Sequence, residues 1–223
     1  MEELTPNAFF DLEKFSHAAL FEECRFVWEA LIQMEAYLKK ASLGGIECAV
    51  PSAATLVHPE SIAIGKGTVI EEGSYLRGPC LIGAGCTIRQ GAYLRGPVIL
   101  GDGCVIGHAS EVKHTIALNE AHVAHFNYVG DSILGNGVNL GAGFICSNLR
   151  FDKAPVVVVI RGKRIETGCK KLGLIAGDGS HLGCNGVSNP GTLLGKQAVA
   201  FPCLNFGGFH GAHALIAKGG KRR

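Results

Sequence analysis

The segment HVAHFNYVGD, residues 122–131, carries two histidines and a tyrosine within seven positions. His122, His125 and Tyr128 follow one another at intervals of three. An imidazole titrates near neutral pH, so a histidine can take a proton from an attacking nucleophile. The segment is therefore a candidate for acid–base chemistry, and the alternative is that its histidines are polar residues of the architecture.

The elements that must position this segment follow a period of six. Ten bulky aliphatic residues recur at this spacing, and most are followed four positions later by a small residue such as Cys86 or Cys104. The aliphatic residues are Ile64, Ile70, Leu76, Ile82, Ile88, Leu94, Leu100, Ile106, Val112 and Leu118. One large and one small inward residue per repeat indicates three flat strands per coil. The pattern resembles the hexapeptide repeat of an all-β solenoid, the left-handed parallel β-helix.

This period fails at the histidine segment. Leu118 and the next clear aliphatic position, Leu134, are sixteen residues apart, so two residues are expected to be lost within 119–133. His122 falls at the small inward position just before the break, and we interpret it as architectural. His125 and Tyr128 lie at the break itself, where a slipped frame could aim a side chain outward.

Two other segments depart from the repeat. Residues 8–42 read as helix with a heptad seam, so residues 1–45 are predicted to form an α-helical arm, packed on the coil base or against other subunits. Within the β-helix domain, 46–217, the apolar run 156–160 and the turn at RGKR predict an inserted hairpin over 149–171. Residues 218–223 form a basic tail.

Composition limits the partners and the cellular compartment that we expect for the chain. A net charge of +2 does not indicate a nucleic-acid surface. The nine cysteines contain no CxxC pair and accompany no signal peptide or long apolar span, so we expect a cytoplasmic protein without a membrane partner. Cys86 and Cys104 are eighteen apart and are predicted to stack in the core.

Two longer strings carry a family resemblance. Residues 111–148, EVKHTIALNEAHVAHFNYVGDSILGNGVNLGAGFICSN, resemble the acetyltransferase domain of the bifunctional glucosamine-1-phosphate acetyltransferase and N-acetylglucosamine-1-phosphate uridyltransferase. The string HFNYVGDSILGNGVNLGAGFICSNLRFD, together with VIRGKRIETGCKKLG, is similar to the archaeal sugar-1-phosphate nucleotidylyltransferases that also acetylate amino sugars. The resemblance covers about residues 50–210, and its H-x-x-Y-x-G-D core is its most specific part.

The resemblance implies a role for nine positions. His125 matches the catalytic base and Glu111 the carboxylate that orients it. Arg95 and Lys113 would bind the phosphate of the substrate, and Tyr128, Asn139 and Asn148 would bind its amino sugar. Ala142 and Cys184 would contact the coenzyme. A family lysine is absent, because Ala154 stands in its place.

The implied activity is acetyl-CoA-dependent N-acetylation of glucosamine-1-phosphate or a related amino-sugar phosphate by a homotrimer, without a metal. No nucleotide-binding sequence is found before residue 57, so we expect no pyrophosphorylase activity. The main alternative is a noncatalytic scaffold that partners a separate sugar nucleotidyltransferase. An acyltransferase that uses acyl-carrier protein and a zinc carbonic anhydrase fit less well, since the histidine spacing does not suit three zinc ligands on adjacent coils.

Overall fold

The computed structural model describes residues 2–218, and so of the predicted basic tail only Lys218 lies within the described residues. The chain is a parallel β-solenoid preceded by an N-terminal segment that is partly helical. Residues 2–218 contain two α-helices, α1 (Pro6–Phe9) and α2 (Glu29–Lys40), and three short 3-10 helices, Glu2–Leu4, Ala18–Phe21 and Pro59–Ser61. Among the described residues, no helix is both long and apolar enough to cross a lipid bilayer.

Most strands are two to four residues long, as expected for the flat walls of a coil. In chain order they are β1 Thr55–Val57, β2 Ile62–Ile64, β3 Val69–Ile70, β4 Tyr75–Arg77, β5 Cys80–Ile82, β6 Thr87–Ile88, β7 Tyr93–Leu100, β8 Val105–His108, β9 Glu111–Ala117, β10 His122–His125, β11 Tyr128–Leu134, β12 Asn139–Leu140, β13 Ile145–Cys146, β14 Val157–Ile160, β15 Lys163–Glu166, β16 Leu174–Ala176, β17 His181–Leu182, β18 Val187–Ser188, β19 Thr192–Leu194, β20 Val199–Ala200, β21 Asn205–Phe206, β22 Phe209–His210 and β23 Leu215–Ile216.

The strands stack in three columns, which form the three faces of the coil. The first face is the stack β1-β4-β7-β9-β11-β13-β18-β21, and the second is β3-β6-β8-β10-β12-β17-β20-β23. The third face contains β2, β5, the second halves of β7, β9 and β11, and then β16, β19 and β22. Every pairing within these stacks is parallel, which confirms the solenoid that the period of six predicts.

The large inward residues follow the predicted register through the first coils. Ile82, Leu94 and Ile106 are buried in one cluster that runs along the inside of the coil. Cys86 and Cys104 belong to the same cluster and are fully buried, as the sequence predicts. Burial also raises the pKa of the Cys80 and Cys146 thiols to about 12, so neither supplies a thiolate at neutral pH.

The break in the period lies elsewhere than the sequence predicts. Leu94 pairs with Val112 at a step of eighteen residues, but Val112 pairs with Val129 at a step of only seventeen. The first shortening occurs where the single residue His114 replaces the two-residue corner after Arg95. Asp131 makes the same one-residue corner one coil later. Only the second of these corners falls within the predicted window 119–133.

The early shortening moves every following residue by one position, and two predictions are wrong for that reason. Ala117, not Leu118, pairs with Leu100 and points into the coil. Ala121 then fills the small inward position, whereas His122 is exposed on the second face. His122 is therefore a surface residue and not an architectural one.

The third face is apolar on its outer side as well as its inner side. Side chains that point outward from its strands are buried against residues of the N-terminal segment, including Trp28, Leu31 and Met34. They are Leu81, Ile99, Ile116, Ile133, Ile175 and Leu193. The N-terminal segment thus packs along the side of the coil of its own chain, and not at the coil base.

The N-terminal segment is less helical than the predicted continuous helix over 8–42, because α2 covers only Glu29–Lys40. Its earlier part satisfies backbone groups against the coil corners instead. The Asp11 N–H donates to Asp178 Oδ2 at 2.6 Å, and the Lys14 carbonyl accepts from Asn119 Nδ2 at 2.9 Å. Backbone groups that bond to side chains of the coil are not available for helical hydrogen bonds.

Strands β14 and β15 pair antiparallel within the segment 149–171. Arg161 and Gly162 form the two-residue turn, and both have positive φ angles, 49° and 77°. Two successive positive φ angles match the right-handed twist of a hairpin, and glycine adopts such a conformation without a steric penalty. One side of this pair is buried through Val158 in the cluster that also holds the N-terminal segment.

Candidate active site

Two neighbouring rows of outward side chains on the first face carry four of the nine predicted site residues. In one row Tyr93 pairs with Glu111, which pairs with Tyr128. In the other, Arg95 pairs with Lys113, which pairs with Gly130. Because stacked strands lie about 4.8 Å apart, long side chains on successive rungs are within reach of one another.

Asp131 is the centre of the hydrogen bonds at this corner. Its carboxylate accepts from Lys113 Nζ at 2.8 Å, from Asn148 Nδ2 at 2.5 Å, and bonds with His114 Nδ1 at 2.9 Å. Burial alone would raise the pKa of Asp131, but the hydrogen bonds from His114 and then Lys113 outweigh it and hold the pKa below its usual value. Asp131 is therefore an ionised acceptor that fixes three side chains.

Tyr128 and Asn148 meet over a glycine. Asn148 Nδ2 donates to Tyr128 Oη at 3.2 Å. A Cβ atom on Gly130 would lie only 2.6 Å from each of these two atoms, so a larger residue would push both side chains away. Glycine at this position allows the tyrosine hydroxyl and the amide to converge on the backbone.

Glu111 contacts a different partner from the one that the resemblance implies. Its Oε1 accepts from Arg95 Nη1 at 2.7 Å, and both side chains are partly exposed. No hydrogen bond joins Glu111 to His125 within residues 2–218. Glu111 Oε2 accepts no hydrogen bond from the described residues either, so one carboxylate oxygen is still open.

His125 ends β10 at the corner between the second and first faces. Its backbone N–H donates to Asn127 Oδ1 at 3.0 Å, and its carbonyl accepts from the Gly143 N–H at 2.9 Å. The side chain is exposed, and within the described part of the chain its ring makes no hydrogen bond. The backbone of His125 is thus held in place, while its exposed imidazole remains available to a ligand.

Asn139, Ala142 and Cys184 lie away from the Asp131 corner. Asn139 is on the second face, where its neighbours in the stack are His122 and His181. Ala142 follows at the next corner, and its carbonyl accepts from the Asn185 N–H at 2.8 Å. Exposed Cys184 immediately precedes Asn185, so the structure brings Ala142 and Cys184 together on consecutive coils although the inserted segment separates them in sequence.

Ala154 lies in the loop that follows Asn148. The loop is held by Arg150 and Asp152, whose side chains pair through two hydrogen bonds, while Asp152 Oδ1 also accepts from the Ala154 N–H at 3.1 Å. A cavity of about 450 Å³ borders this loop beside Phe151. Position 154 itself holds alanine, and the basic residue next to it in the sequence is Lys153.

Sequence reasoning assigned no role to Asp131 and His114. Asp131 ends the H-x-x-Y-x-G-D core, and His114 follows Lys113, so both lie close in sequence to residues that the resemblance assigns to the site. Their pairing arises because each forms a one-residue corner with positive φ, 50° at Asp131 and 46° at His114. A step of seventeen residues in place of eighteen is the signal that could have placed them together.

Comparisons with known proteins point to one group of enzymes. A family model described as the GMPPB C-terminal domain matches residues 76–200. A bifunctional sugar-1-phosphate nucleotidylyltransferase/acetyltransferase of Sulfurisphaera tokodaii is 40% identical over 92 residues, which are 41% of this chain and 23% of that protein. The bifunctional protein GlmU of Methanocaldococcus jannaschii is 41% identical over 97 residues, 43% of this chain and 24% of that protein.

A shorter relative aligns over more of its length. YaiX of Escherichia coli strain K12, which is named as an uncharacterized acetyltransferase, is 37% identical over 141 residues, 63% of this chain and 61% of that protein. The chain therefore spans about a quarter of the two bifunctional proteins, and less than two thirds of YaiX.

Proposed function

The chain belongs to the GMPPB C-terminal domain family, and we propose that it is an acetyl-CoA-dependent N-acetyltransferase for glucosamine-1-phosphate or a related amino-sugar phosphate. The observation that carries the proposal is the Asp131 corner. Lys113, His114 and Asn148 converge there beside Tyr128, and His125 presents a free imidazole at the adjoining corner of the same coil. The names of two relatives, which both contain the word acetyltransferase, add the reaction class.

The proposed reaction begins with the loss of a proton by the amine of the sugar. An ammonium group has no lone pair, so it cannot attack a thioester until a base removes a proton. His125 takes that proton, the amine nitrogen forms its bond to the acetyl carbon, and the carbon–sulfur bond then breaks. The imidazolium gives its proton to the departing coenzyme A thiolate, and the nitrogen releases its second proton to water, so that the products are the amide, the free thiol and one hydrated proton.

Two further groups stabilise charges in this scheme. The tetrahedral oxyanion needs hydrogen-bond donors, and the Ala142 N–H, which donates no hydrogen bond within residues 2–218, is a candidate. The open Oε2 of Glu111 is available to a nearby imidazolium, in the orienting role that the resemblance implies. We place acetyl-CoA along Ala142 and Cys184, since these residues share one corner on consecutive coils.

The substrate phosphate is proposed to bind Arg95 and Lys113. Both cations project from adjacent rungs of the first face, and each is already held by a carboxylate, Glu111 or Asp131. Arginine has five N–H donors and a lysine ammonium has three, so both retain donors for a phosphate. Tyr128 and Asn148 would then contact the sugar hydroxyls, and Asn139 would contribute from the second face.

A noncatalytic scaffold is the second candidate. Two observations favour it: Ala154 in place of the family lysine, and the Glu111 carboxylate bonded to Arg95 and not to His125. Such a chain would keep the coil and its subunit contacts but transfer no acetyl group.

One assay separates the two candidates. Purified protein is incubated with acetyl-CoA and a panel of amino-sugar phosphates, and free thiol and the mass of the sugar product are both measured. The proposal expects thiol release that depends on the amino sugar, together with an acetylated product. If thiol release never exceeds hydrolysis without the sugar, the scaffold is the better account.

A further inference from the structure

A row of cations on the first face extends beyond the proposed phosphate contacts. Arg77 pairs with Arg95, and Arg95 pairs with Lys113, so the three side chains stand on consecutive rungs. We name these three residues the basic row. Resting on the proposed acetyl transfer, we propose that the acceptor is an amino sugar joined to a nucleoside diphosphate, whose two phosphoryl groups bind along the basic row.

Arg77 differs from the other two members because it has no internal partner. Arg95 is held by Glu111 at 2.7 Å and Lys113 by Asp131 at 2.8 Å. Within residues 2–218 the exposed guanidinium of Arg77 makes no ion pair or hydrogen bond. A sugar monophosphate at Arg95 and Lys113 would leave this cation unused, whereas a second phosphoryl group would reach it. Arginine binds phosphate oxygens through paired N–H donors, which suits this position.

Among the described residues of the first face, no carboxylate stands beside Arg77 to compete with an anion. Val57 precedes it in its own row, and the adjoining row at these rungs holds Thr55, Tyr75 and Tyr93. The nearest acidic side chain along that adjoining row is Glu111, which is bonded to Arg95. The positive charge of Arg77 is therefore not balanced by a neighbouring carboxylate, and Arg77 stands at the end of the basic row farthest from Asp131.

The two tyrosines beside the basic row supply an aromatic surface at the same end. The Tyr75 and Tyr93 rings meet edge to face, with centroids 5.2 Å apart and an interplanar angle of 87°. Tyr75 is 40% exposed, so part of its ring is available to a ligand. A nucleobase stacks on such a ring with little dependence on its identity, which suits the base or ribose of a nucleotide.

The length of the surface suits the proposed ligand. Gly130, under the proposed sugar contacts, and Arg77 are three rungs apart, which corresponds to about 14 Å. The sugar contacts lie at one end of this line, and the other end carries Arg95 and Arg77 with the rings of Tyr93 and Tyr75 beside them. A nucleotide sugar whose amino sugar lies at the first end would lay its diphosphate along the basic row and its nucleoside beside these rings.

The test compares two acceptors and two arginine variants. UDP-glucosamine and glucosamine-1-phosphate are assayed with wild-type protein, Arg77→Gln and the matched control Arg89→Gln. Arg89 follows β6 on the second face and lies outside the basic row. Binding of UDP-glucosamine is also measured by calorimetry, which does not depend on turnover.

We expect a higher kcat/KM for UDP-glucosamine than for glucosamine-1-phosphate. Arg77→Gln should raise KM and weaken calorimetric binding of UDP-glucosamine by roughly ten- to a hundredfold, because a charge-assisted contact is lost. The same variant should leave kinetics with glucosamine-1-phosphate unchanged, and Arg89→Gln should change neither substrate.

Two failures have different meanings. The inference would be overturned if Arg77→Gln left UDP-glucosamine binding unchanged, or if both variants weakened it equally. Acetylation of glucosamine-1-phosphate in the same experiment would still support the proposed function. Absence of acetyl transfer to either acceptor would instead contradict the proposed function.

Discussion

Asp131 is the residue on which the proposed substrate corner depends. A carboxylate that is only 7% exposed would be costly without partners, and here it has three. The positive φ angle at Asp131 belongs to the one-residue corner that aims the side chain at Lys113, His114 and Asn148. The short corner and the binding geometry are thus parts of the same feature.

Replacing Asp131 with asparagine should destabilise the fold at neutral pH by about 1.5–3 kcal/mol, because hydrogen bonds between charged groups are lost. The pKa of Asp131 is lowered in the fold, so its contribution is fully present above its unfolded value, 3.8. The contribution disappears as the pH falls through the lower folded value. Urea unfolding of both proteins, at neutral pH and at a pH well below 3.8, measures this.

The exposed Asp152, which pairs with Arg150, provides the control. Asp152→Asn should change the free energy of unfolding little, since exposed ion pairs contribute little. An Asp131→Asn variant as stable as the parent at neutral pH would show that this carboxylate does not organise the corner.

The site was only partly predictable from residue types. The resemblance selected His125, Tyr128, Lys113 and Asn148, and the structure brings the last three to one corner. Asp131 reaches them because its one-residue corner lies one coil after the one-residue corner at His114. A strict six-residue frame has no such short corners, so it does not place these two residues side by side. The partner of Glu111 could not be read from sequence either, since it depends on which long side chain lies on the neighbouring rung.

At the scale of elements, the strands of the third face explain where the N-terminal segment binds. Strands such as β5, β16 and β19 read CLI, LIA and TLL, without the alternation of a sheet that has one side in water. Continuous apolar strands indicate burial on both sides. These continuous apolar strands can be seen in the sequence, but the period of six explains only the side chains that point into the coil and not those that point outward.

Leu118 tests this reading, because the predicted frame points it inward and the structure covers it with the N-terminal segment. Leu118→Ala should destabilise the protein by about 2–5 kcal/mol through the loss of buried contacts. It should also speed proteolytic cleavage within residues 1–45, as the segment loses a contact. Chemical unfolding and limited proteolysis followed by mass spectrometry measure the two effects.

Val69→Ala is the matched control, since Val69 is an exposed aliphatic residue of the second face. It should change neither stability nor cleavage appreciably. If Leu118→Ala destabilises the protein but leaves the cleavage rate within residues 1–45 unchanged, the contact between this residue and the segment is not important.

At the scale of the whole molecule, the proposed site is divided between two faces. Tyr128 and Asn148 lie on or beside the first face, whereas Asn139 lies on the second. A neighbouring subunit that presents its second face to this first face would bring the groups together. This division gives a structural reason to expect the homotrimer that the resemblance implies.

We expect the protein in solution to have three times the 23.4 kDa mass of the chain. Phe126, next to His125, is 58% exposed on the corner between the two faces, and an interface there would bury it. Phe126→Asp should therefore lower the mass measured by light scattering after gel filtration. Val159→Asp, an exposed position of the β14–β15 pair, should leave the mass unchanged.

A monomeric parent protein, at concentrations where acetyl transfer is observed, would contradict the shared site.

His125 is the most direct test of the proposed chemistry, and His122 is its matched control. Both are exposed histidines of β10, three residues apart, so replacing either with alanine removes the same group from the same strand. Loss of a general base is worth about 10²- to 10⁴-fold in rate. Thiol release with amino-sugar phosphate is measured at saturating acetyl-CoA for the parent and both variants. We predict that kcat falls by that factor for His125→Ala and stays near the parent value for His122→Ala. Equal turnover by His125→Ala and the parent would contradict the account.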